Sequence, residues 1–327
     1  MHGDRPNVLV MAVGSPLGQS ILKALQRSDA VGAVHVSDID DLAAGFYLGA
    51  DHAVVLPPVF DGNYAEALAS YIDEHQIQLV FPVIASEHDF FAQHSEEYRA
   101  RGVSVITSGP DVFDLCSDKF ESMRFLKSRG LAAPLTALCV PGSPLEEFLD
   151  VTAFPVFVKP RFGASSQGAV TAMNRRALFG MIDAAPSGSL VVQEYLSDDC
   201  EYTVGIYIAR SAAFCDSIVI RRELKFGLSY RGSILIDQRI SDYAERVASA
   251  VGAVHAVNVQ LKVIDGVPTC FEINPRLSST TSIRAHFGFN EPHMAVLDAQ
   301  GKIEDYINTV RTGRFTRYWQ EHYLEPA

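Results

Sequence analysis

The sequence predicts an α/β protein that opens with a parallel-sheet domain. Residues 7–13 form a continuous apolar run, residues 14–18 begin and end with glycine, and residues 19–26 have apolar side chains at helical spacing. A strand, a turn and a helix in this order begin a parallel α/β unit. The 327 residues are enough for about two domains, so a second domain is expected to follow.

The elements that follow continue the same pattern. Apolar runs predict strands at 31–36 and 79–83, and the spacing of apolar residues predicts helices at 64–74 and 88–101. Strands that alternate with helices are typical of a parallel sheet. We therefore expect a Rossmann-like domain at the N-terminal end of the chain.

Two features of this domain raise the question of NAD(P) binding. Glycines follow the first strand and Asp38 follows the second, and both are residue types found in dinucleotide sites. The spacing is GxxxG, however, and lacks the GxGxxG register that brings backbone against a pyrophosphate. A tight turn with a strand-end acid is the favoured interpretation. Glu87, after strand 79–83, is a candidate substrate contact, with helix capping as the alternative.

Composition and charge exclude several classes of protein. A net charge of −12 argues against a nucleic-acid surface. The five cysteines are odd in number and form no CxxC pair, which indicates reduced thiols. No apolar run approaches the roughly 18 residues of a membrane span. We expect a cytoplasmic protein with no nucleic-acid or membrane partner.

Two lysines precede a glycine-containing loop. A domain boundary is expected within 107–118, and the helix that starts there carries Lys119 in its first turn, where a cation gains nothing from the helix dipole. Lys159 ends an apolar strand, and the loop 161–168 follows with two glycines and two serines. Its amides can surround an anion while Lys159 supplies the countercharge. A flexible hairpin loop is the alternative, and the lysine favours a phosphate site.

The next apolar strand, 190–196, leads into a second strand that begins at Glu201. Backbone groups at the end of the first strand could pair with an adenine edge, and Glu201 could accept hydrogen bonds from ribose hydroxyls. For each residue taken alone, a surface connection between two strands is favoured.

Polar residues alternate along a predicted strand near the C-terminal end. Glu272, Asn274 and Arg276 share one face, whereas Phe271 and Ile273 are expected to point into the core. A carboxylate beside an amide oxygen suits Mg²⁺, and Arg276 could hold a phosphate or carboxylate bidentately. An amphipathic edge hairpin with a solvated polar face is an alternative of equal weight.

A preceding run, 258–263, brings Gln260 toward this face through an Asp265-Gly266 turn. A simple two-residue turn would pair residue 264 with 267 and point Gln260 away from Glu272. Metal binding by both residues therefore requires a bulge or an equivalent offset in the hairpin. Pro275 is expected to end the second strand.

Taken in order, these motifs resemble the ATP-grasp enzymes, and most closely the branch that contains the large subunit of carbamoyl phosphate synthetase and related carboxylate-amine ligases. The resemblance covers the whole chain and implies a Rossmann-like domain at 1–115 followed by a two-lobed ATP-grasp fold, with lobes at 116–190 and 191–327. Each motif is weak alone, but six in the expected order are specific. They are Lys119 in Ser-Asp-Lys, Lys159 in Phe-Val-Lys-Pro, the loop 161–168, Gln193-Glu194-Tyr195-Leu196 with Glu201, Asn258-Val259-Gln260, and Glu272-Ile273-Asn274-Pro275-Arg276.

The resemblance also implies cofactors and residue roles. The cofactors are ATP and Mg²⁺, with Mn²⁺ as a substitute. Lys159 and Arg276 would act in catalysis. Some relatives have glutamate in place of Gln260, which weakens a second metal position here. ATP would contact Lys119, Lys159, Gly163, Ser165, Ser166, Gly168, Glu194, Tyr195, Leu196, Glu201, Gly227 and Ser229. Gln260, Glu272 and Asn274 would hold the metal. Glu87, Arg221, Arg222, Arg231 and Arg284 are the candidate substrate contacts, with surface charge as the alternative for several of the arginines.

The expected activity is an ATP- and Mg²⁺-dependent ligase that activates a small carboxylate as an acyl phosphate and joins it to an amine. Its partners are then a carboxylate and an amine substrate, and a homodimer is a further expectation. An NAD(P)-dependent reductase is one alternative, and cofactor titration separates it from the ligase. A non-catalytic nucleotide-binding module is another, and it is disfavoured because the expected metal residues are all present. The tail that begins at Arg314 either packs back as a strand or serves a partner.

Overall fold

The computed structural model describes residues 5–163, 168–197 and 200–324. It contains three β-sheets, and each is built from a consecutive stretch of the chain. Helices cover the sheets and connect them. Ser165 and Ser166, two of the predicted ATP contacts, lie outside the described residues.

The first sheet is parallel and has the strand order β3-β2-β1-β4-β5. This arrangement confirms the predicted Rossmann-like domain. The elements are β1 Asn7–Val10, α1 Pro16–Leu25, β2 Val34–Asp38, β3 His52–Val55, α2 Tyr64–Glu74, β4 Ile77–Phe81, α3 Ala85–Gln93, α4 Ser95–Ala100 and β5 Ser104–Val105, with a 3₁₀ turn at Ala44–Tyr47.

Helix α2 matches its predicted bounds, but two other elements differ from the prediction. The predicted helix at 88–101 is two helices, because His94 ends α3 with non-helical dihedral angles. The second strand begins at Val34 rather than at residue 31. Apolar spacing continues across both positions, so periodicity alone could not place these bounds.

Two helices, α5 Pro110–Ser117 and α6 Lys119–Ser128, lead to the second sheet. Asp118 caps α6 by accepting hydrogen bonds from the backbone of Phe120 and Glu121. The second sheet is antiparallel, in the order β6-β9-β7-β8. Its elements are β6 Thr136–Leu138, α7 Ser143–Val151, β7 Val156–Pro160, β8 Val170–Ala172, α8 Arg175–Asp183 and β9 Leu190–Glu194.

The third sheet is also antiparallel, and its order is β14-β13-β10-β11-β12-β15. Of the two alternatives for the tail, the structure shows packing on the sheet at its start, where β15 pairs with β12. The elements are β10 Glu201–Ile208, β11 Cys215–Lys225, β12 Leu228–Leu235, α9 Gln238–Ala250, β13 His255–Ile264, β14 Val267–Asn274, α10 Thr281–His286, α11 Glu291–Ala299, a 3₁₀ turn at Ile303–Asp305, and β15 Gly313–Thr316.

Opposite faces of the third sheet pack against different partners. Val204, Val259 and Ile273 lie in a core with α9 and α6, whereas Ile218 and Ile220 lie in a core shared with the first domain. Alternation along the strands produces this division. The polar residues of the candidate site lie on the same face as Ile218 and Ile220, at the end of the sheet nearest to β9.

One serine joins the first domain to the third sheet's helices. The hydroxyl of Ser20, on α1, donates to the carbonyl of Ser279 at 3.0 Å and accepts from the backbone N–H of Ser282 at 2.8 Å. Ser20 is buried, so these bonds form in a region of low solvent access. They fix α1 against α10 and define one wall of the groove described below.

The five cysteines are free thiols, and three of them are buried. Within the described ranges, no helix has the length and apolar character needed to cross a bilayer.

Candidate functional site

The β13–β14 hairpin carries the offset that the metal hypothesis requires. Its turn is the two-residue type, with positive φ at Asp265 and Gly266, but the register shifts within the ladder so that Phe271 is an extra residue. Gln260 is therefore paired with Glu272. A bulge reverses the parity of the strand beyond it, so both side chains lie on one face. This prediction is confirmed.

The bulge also creates a contact for Lys159. Phe271 does not enter the core as predicted, because the bulge removes it from regular alternation, and its side chain is half-buried. Its carbonyl accepts a hydrogen bond from Lys159 Nζ at 3.0 Å, and the ammonium lies 5.7 Å from its ring centroid. Lys159 is 5% exposed. A lysine from the second sheet is thereby fixed beside the polar strand of the third.

Lys119 approaches the same region from the start of α6. It is buried, and its Nζ donates to the carbonyl of Gly163 at 2.7 Å. The neighbouring Arg161 forms a bidentate ion pair with Asp118, with contacts of 2.6 and 2.9 Å to Asp118 Oδ2. These bonds hold the beginning of the glycine-containing loop against α6. Lys119 is thus not a solvated surface residue.

Glu272 is the acceptor at the centre of the polar face. Its Oε1 accepts from Asn274 Nδ2 at 2.8 Å and from Gln260 Nε2 at 3.3 Å. Arg276 Nη2 in turn donates to Asn274 Oδ1 at 3.3 Å. The predicted carboxylate, amides and guanidinium therefore form one connected cluster at the end of β14.

A second ion pair borders this cluster. Arg222 Nη2 lies 2.5 Å from Glu201 Oε1 and donates to Gln260 Oε1 at 2.8 Å. Arg222 Nη1 also donates to Ser229 Oγ at 3.4 Å. The guanidinium links the predicted ribose, metal and nucleotide contacts across three strands.

The cluster offers one carboxylate and two amides as oxygen donors for Mg²⁺. In the described part of the chain, no group of three His, Cys, Asp or Glu side chains is arranged to hold a metal. Magnesium commonly uses only one or two carboxylates together with substrate phosphates, so Glu272 fits such a shared site. The two amides fit less well, because Gln260 Oε1 accepts from Arg222 and Asn274 Oδ1 accepts from Arg276.

Burial shifts the acid–base properties of the cations. It lowers the pKa of Lys159 to about 8, while the nearby Glu272 carboxylate opposes this shift. Burial likewise lowers the pKa of Lys119 and of Arg276, and Glu272 again opposes the change. Three cations from different elements therefore lie within electrostatic reach of one carboxylate. An anionic ligand would stabilise their charged forms.

The predicted adenine segment lies at the end of β9. The backbone N–H of Glu194 bonds to the carbonyl of Leu135, and the carbonyl of Leu196 accepts from Lys262 at 3.1 Å. Tyr195 is exposed. Ser229 is buried next to Arg222, whereas Gly227 lies in the β11–β12 turn with φ +72°. Gly168, at the end of the glycine-containing loop, also has positive φ.

Two candidate substrate contacts have structural partners. Glu87 is buried and accepts hydrogen bonds from the backbone of Val83 and Ile84 at 2.7 and 3.1 Å, as in helix capping, and burial raises its pKa to about 7. Arg284 is wholly buried, and its Nη1 donates to Glu291 at 2.6 Å. It therefore presents no exposed surface to a substrate carboxylate. Sequence could not distinguish it from an exposed arginine, because its partner belongs to another helix.

Arg221 and Arg231 lie beside a cavity of about 1090 Å³ that also contacts Arg314. Alternation along β11 places Arg221 on the face opposite Arg222. Arg231 pairs with Glu223 at 2.8 Å. The two arginines are thus close to each other, and Arg222, which borders the cluster around Glu272, also lines this cavity.

In the first domain, the carboxylate of Asp38 lies against the turn that contains Gly14 and Gly18. Asp38 Oδ2 accepts from the backbone of Gly14 at 2.7 Å, and Oδ1 accepts from Ile39 and Asp40. A Cβ at Gly18 would lie 2.6 Å from the carbonyl of Ala12. The Gly14 N–H, which a bound pyrophosphate would need as a donor, is already bonded to the Asp38 carboxylate. This arrangement fits a tight turn rather than a dinucleotide site.

Three features of the site were not found by sequence reasoning. The sequence indicates Arg222 only as a substrate contact, yet it connects Glu201 to Gln260. The Arg161–Asp118 pair and the carbonyl of Phe271 were not considered. The opposite charges of Glu201 and Arg222 could have indicated this pair, because the two residues are direct cross-strand neighbours in β10 and β11.

Two family models match the chain. Residues 187–321 match a family described as ATP-grasp in the biosynthetic pathway with Ter operon, and residues 8–106 match the PylC-like N-terminal domain.

Curated relatives are carbamoyl phosphate synthase large chains. That of Micrococcus luteus is 23% identical over 193 residues, which cover 55% of this chain and 17% of the relative. That of Thermoplasma acidophilum is 22% identical over 291 residues, covering 82% of this chain and 28% of the relative. This chain thus spans less than a third of the length of either.

Solved structures resemble the fold over most of the chain. One is N5-carboxyaminoimidazole synthetase from Staphylococcus aureus, complexed with ADP, with a TM-score of 0.71 at 14% sequence identity. The superposition covers 91% of this chain and 78% of the synthetase chain. A biotin carboxylase complex from Campylobacter jejuni has a TM-score of 0.70 at 13% identity, with coverages of 90% and 71%.

Proposed function

We propose that this chain, which has the ATP-grasp fold, is an ATP- and Mg²⁺-dependent ligase that joins a small carboxylate to an amine. ADP and phosphate would be released. The polar cluster around Glu272, with the lysines of two other elements, is the proposed active site.

The observation that carries this proposal is the convergence of Lys119 and Lys159 on the strand end that holds Glu272. Both lysines are buried, and each is fixed by a backbone carbonyl. Burying an ammonium group is unfavourable in free energy unless the group is paired with an opposite charge. A polyphosphate bound between them and Glu272 would supply that partner together with a divalent metal.

The residues divide into nucleotide and metal contacts. Lys119, Lys159 and the loop that begins near Gly163 would bind phosphate groups, while the segment 194–196 and Glu201 would bind adenine and ribose. Glu272 would hold Mg²⁺, with Asn274 and Gln260 in weaker roles because their amide oxygens accept from Arg276 and Arg222. Mg²⁺, or Mn²⁺ in its place, would neutralise phosphate charge as the γ-phosphoryl group is transferred.

The reaction requires alignment and charge stabilisation from the protein. A substrate carboxylate oxygen attacks the γ-phosphorus, the bond to ADP breaks, and an acyl phosphate forms. The amine nitrogen then attacks the acyl carbon, phosphate leaves, and the nitrogen loses a proton. Arg276, which contacts Asn274, would stabilise the negative charge of the transferred group.

Trapping with hydroxylamine tests the reaction class. The protein is incubated with Mg-ATP, hydroxylamine and separate pools of amino acids and other carboxylic acids. Activation of the cognate acid should release ADP and give a hydroxamate that depends on that acid. Release of AMP and pyrophosphate would contradict the proposal, since it indicates an acyl adenylate.

Nucleotide binding is measured in parallel by calorimetry. Binding of Mg-ATP with no binding of NAD(P)H is the expected result. The opposite result would replace the ligase by a reductase that uses the first domain. Binding of Mg-ATP without turnover over the full set of acids and amines would instead indicate a nucleotide-binding module.

A further inference from the structure

A groove lies between the first domain and the third sheet, next to the proposed active site. Its volume is about 540 Å³, and it is bounded by α1, α10, the β11–β12 hairpin and the tail after β15. This volume is typical of sites for small molecules. The groove is distinct from the strand end that carries Glu272.

The groove adjoins the active site through two short stretches of chain. Ser279, in its wall, lies in the same loop as Arg276. Tyr230, also in its wall, follows Ser229, whose hydroxyl accepts from Arg222. A molecule in the groove would therefore be held beside the end of the site where Arg276 lies.

The charge of the groove is opposite to that of the chain as a whole. Lys23, Lys225 and Arg317 line it, and among the described residues none that line it is acidic. The chain carries a net charge of −12, so this grouping of cations is local. Asp38 approaches at Gly14, but its two oxygens accept hydrogen bonds from backbone N–H groups.

Each element contributes a different part of the wall. The Arg317 guanidinium donates to the carbonyl of Ser279, and the backbone N–H of Arg317 bonds to Tyr230 at 2.8 Å, so the tail is fixed across the groove. Lys225 Nζ lies 4.9 Å from the Tyr230 ring centroid. Trp319 is 71% exposed and faces the ring of Phe226 at 5.9 Å.

A second cavity continues the cationic surface. It has a volume of about 760 Å³, shares Lys23 with the groove, and adds Arg27 and Arg314. Clustered cations in a concave surface concentrate anions and orient phosphate or carboxylate groups.

We propose that this groove binds a substrate that carries a dianionic group, either a phosphate monoester or a pair of carboxylates. The dianionic group is held by Lys23, Lys225 and Arg317, and the rest of the molecule extends toward Arg276. The inference rests on the proposed ligase function for the role of this molecule as substrate. The binding of a dianion can be tested by itself.

Trp319 provides the readout, because it is the only tryptophan in the chain. Its fluorescence is followed without nucleotide, at constant ionic strength, as sn-glycerol 3-phosphate, succinate or glycerol is added. We expect a saturable change with at least one dianion, with a Kd of about 1 mM or lower, and no change with glycerol. Response to one dianion alone identifies that group as the class recognised, and response to both shows that the groove recognises the double charge.

Two exposed lysines supply the test variants. The double substitution Lys23→Gln and Lys225→Gln should weaken dianion binding at least about tenfold. Arg99→Gln, which removes one charge from an exposed position on α4, should leave it unchanged. Trp319→Phe has no fluorescence readout, so its dianion binding is measured by calorimetry. Retained binding in this variant shows that Trp319 reports on the groove and is not itself needed for binding.

The outcomes separate this inference from the proposed function. Absence of a response to both dianions, or equal affinity in the double variant and in Arg99→Gln, overturns the groove assignment even when ADP binds normally. Dianion binding that depends on the two lysines, in a protein that does not bind ADP, supports the groove and contradicts the ligase.

Discussion

Glu272 accepts hydrogen bonds from two amides and lies within electrostatic reach of three cations, of which Lys119 and Lys159 are buried. Alternation along one strand was enough to predict that Glu272 shares a face with Asn274 and that this face carries a candidate site. The cations around it were only partly predictable. Lys119 and Lys159 were identified as ligand candidates, but their bonds to Gly163 and Phe271 join distant parts of the chain, and no local pattern specifies such contacts.

Substitution of Glu272 by Gln should leave the fold intact and reduce turnover about 100-fold or more. The amide keeps the volume and one acceptor oxygen but removes the charge that a metal requires. Turnover is measured at saturating substrate, with circular dichroism as the check on folding. Glu147→Gln, an exposed change on α7, is the matched control, and near-normal turnover in Glu272→Gln would remove Glu272 from the mechanism.

The affinity for ATP should fall as the pH rises through about 8. In the free protein burial lowers the pKa of Lys159 to about 8, so the ammonium loses its proton above that pH, whereas bound phosphate favours the charged form. The loss should approach about tenfold per pH unit. Calorimetric titration across this range checks it. A Lys159→Met variant should bind weakly with little pH dependence, and an equal slope in that variant would assign the effect to another group.

Element types were more predictable from sequence than element bounds. Helix α2 and the strands β7 and β10 follow from apolar periodicity, and Pro275 directly follows the end of β14 as expected. The bulge at Phe271 could be inferred only conditionally, from the requirement that Gln260 share a face with Glu272. Nothing in the residues themselves marks Phe271 rather than a neighbour as the extra residue.

The hairpin turn offers a test at this scale. Gly266 has φ +80°, a conformation that is unfavourable for L-residues with a side chain. Gly266→Ala should lower the free energy of unfolding by about 1 kcal/mol, as measured in urea. At Gly62 the backbone φ is not in the left-handed region and there is open space for a Cβ, so Gly62→Ala should have a smaller effect. Equal changes in the free energy of unfolding for the two variants would show that alanine at position 266 does not strain the turn.

The molecule as a whole brings together residues that are far apart in sequence. The groove combines α1 of the first domain with the tail after β15, and Ser20 bonds to Ser279 and Ser282. The order of the domains was predictable from the motifs and from the resemblance that they support. The groove was not, because it depends on how the first domain packs against the third sheet.

Loss of the Ser20 hydroxyl should weaken this packing. Ser20→Ala removes the acceptor for the Ser282 N–H, so the free energy of unfolding should fall by about 1 kcal/mol or more. Ser128→Ala, which removes an exposed hydroxyl bond within α6, should change it by less than about 0.5 kcal/mol. Urea unfolding of both variants gives the comparison. A smaller effect at Ser20 than at Ser128 would show that the contact does not stabilise the domain packing.

The extra residue in β14 constrains how this hairpin can change length. A deletion of one residue between Leu261 and Cys270 would turn Glu272 toward α9, unless the bulge at Phe271 were lost at the same time. Changes that add or remove two residues would keep the side chains on their present face. Chains descended from a common ancestor with this one, if they retain the same chemistry, should therefore differ here by even numbers of residues. Alignments that place a single gap in this segment should be corrected by moving the gap into the bulge.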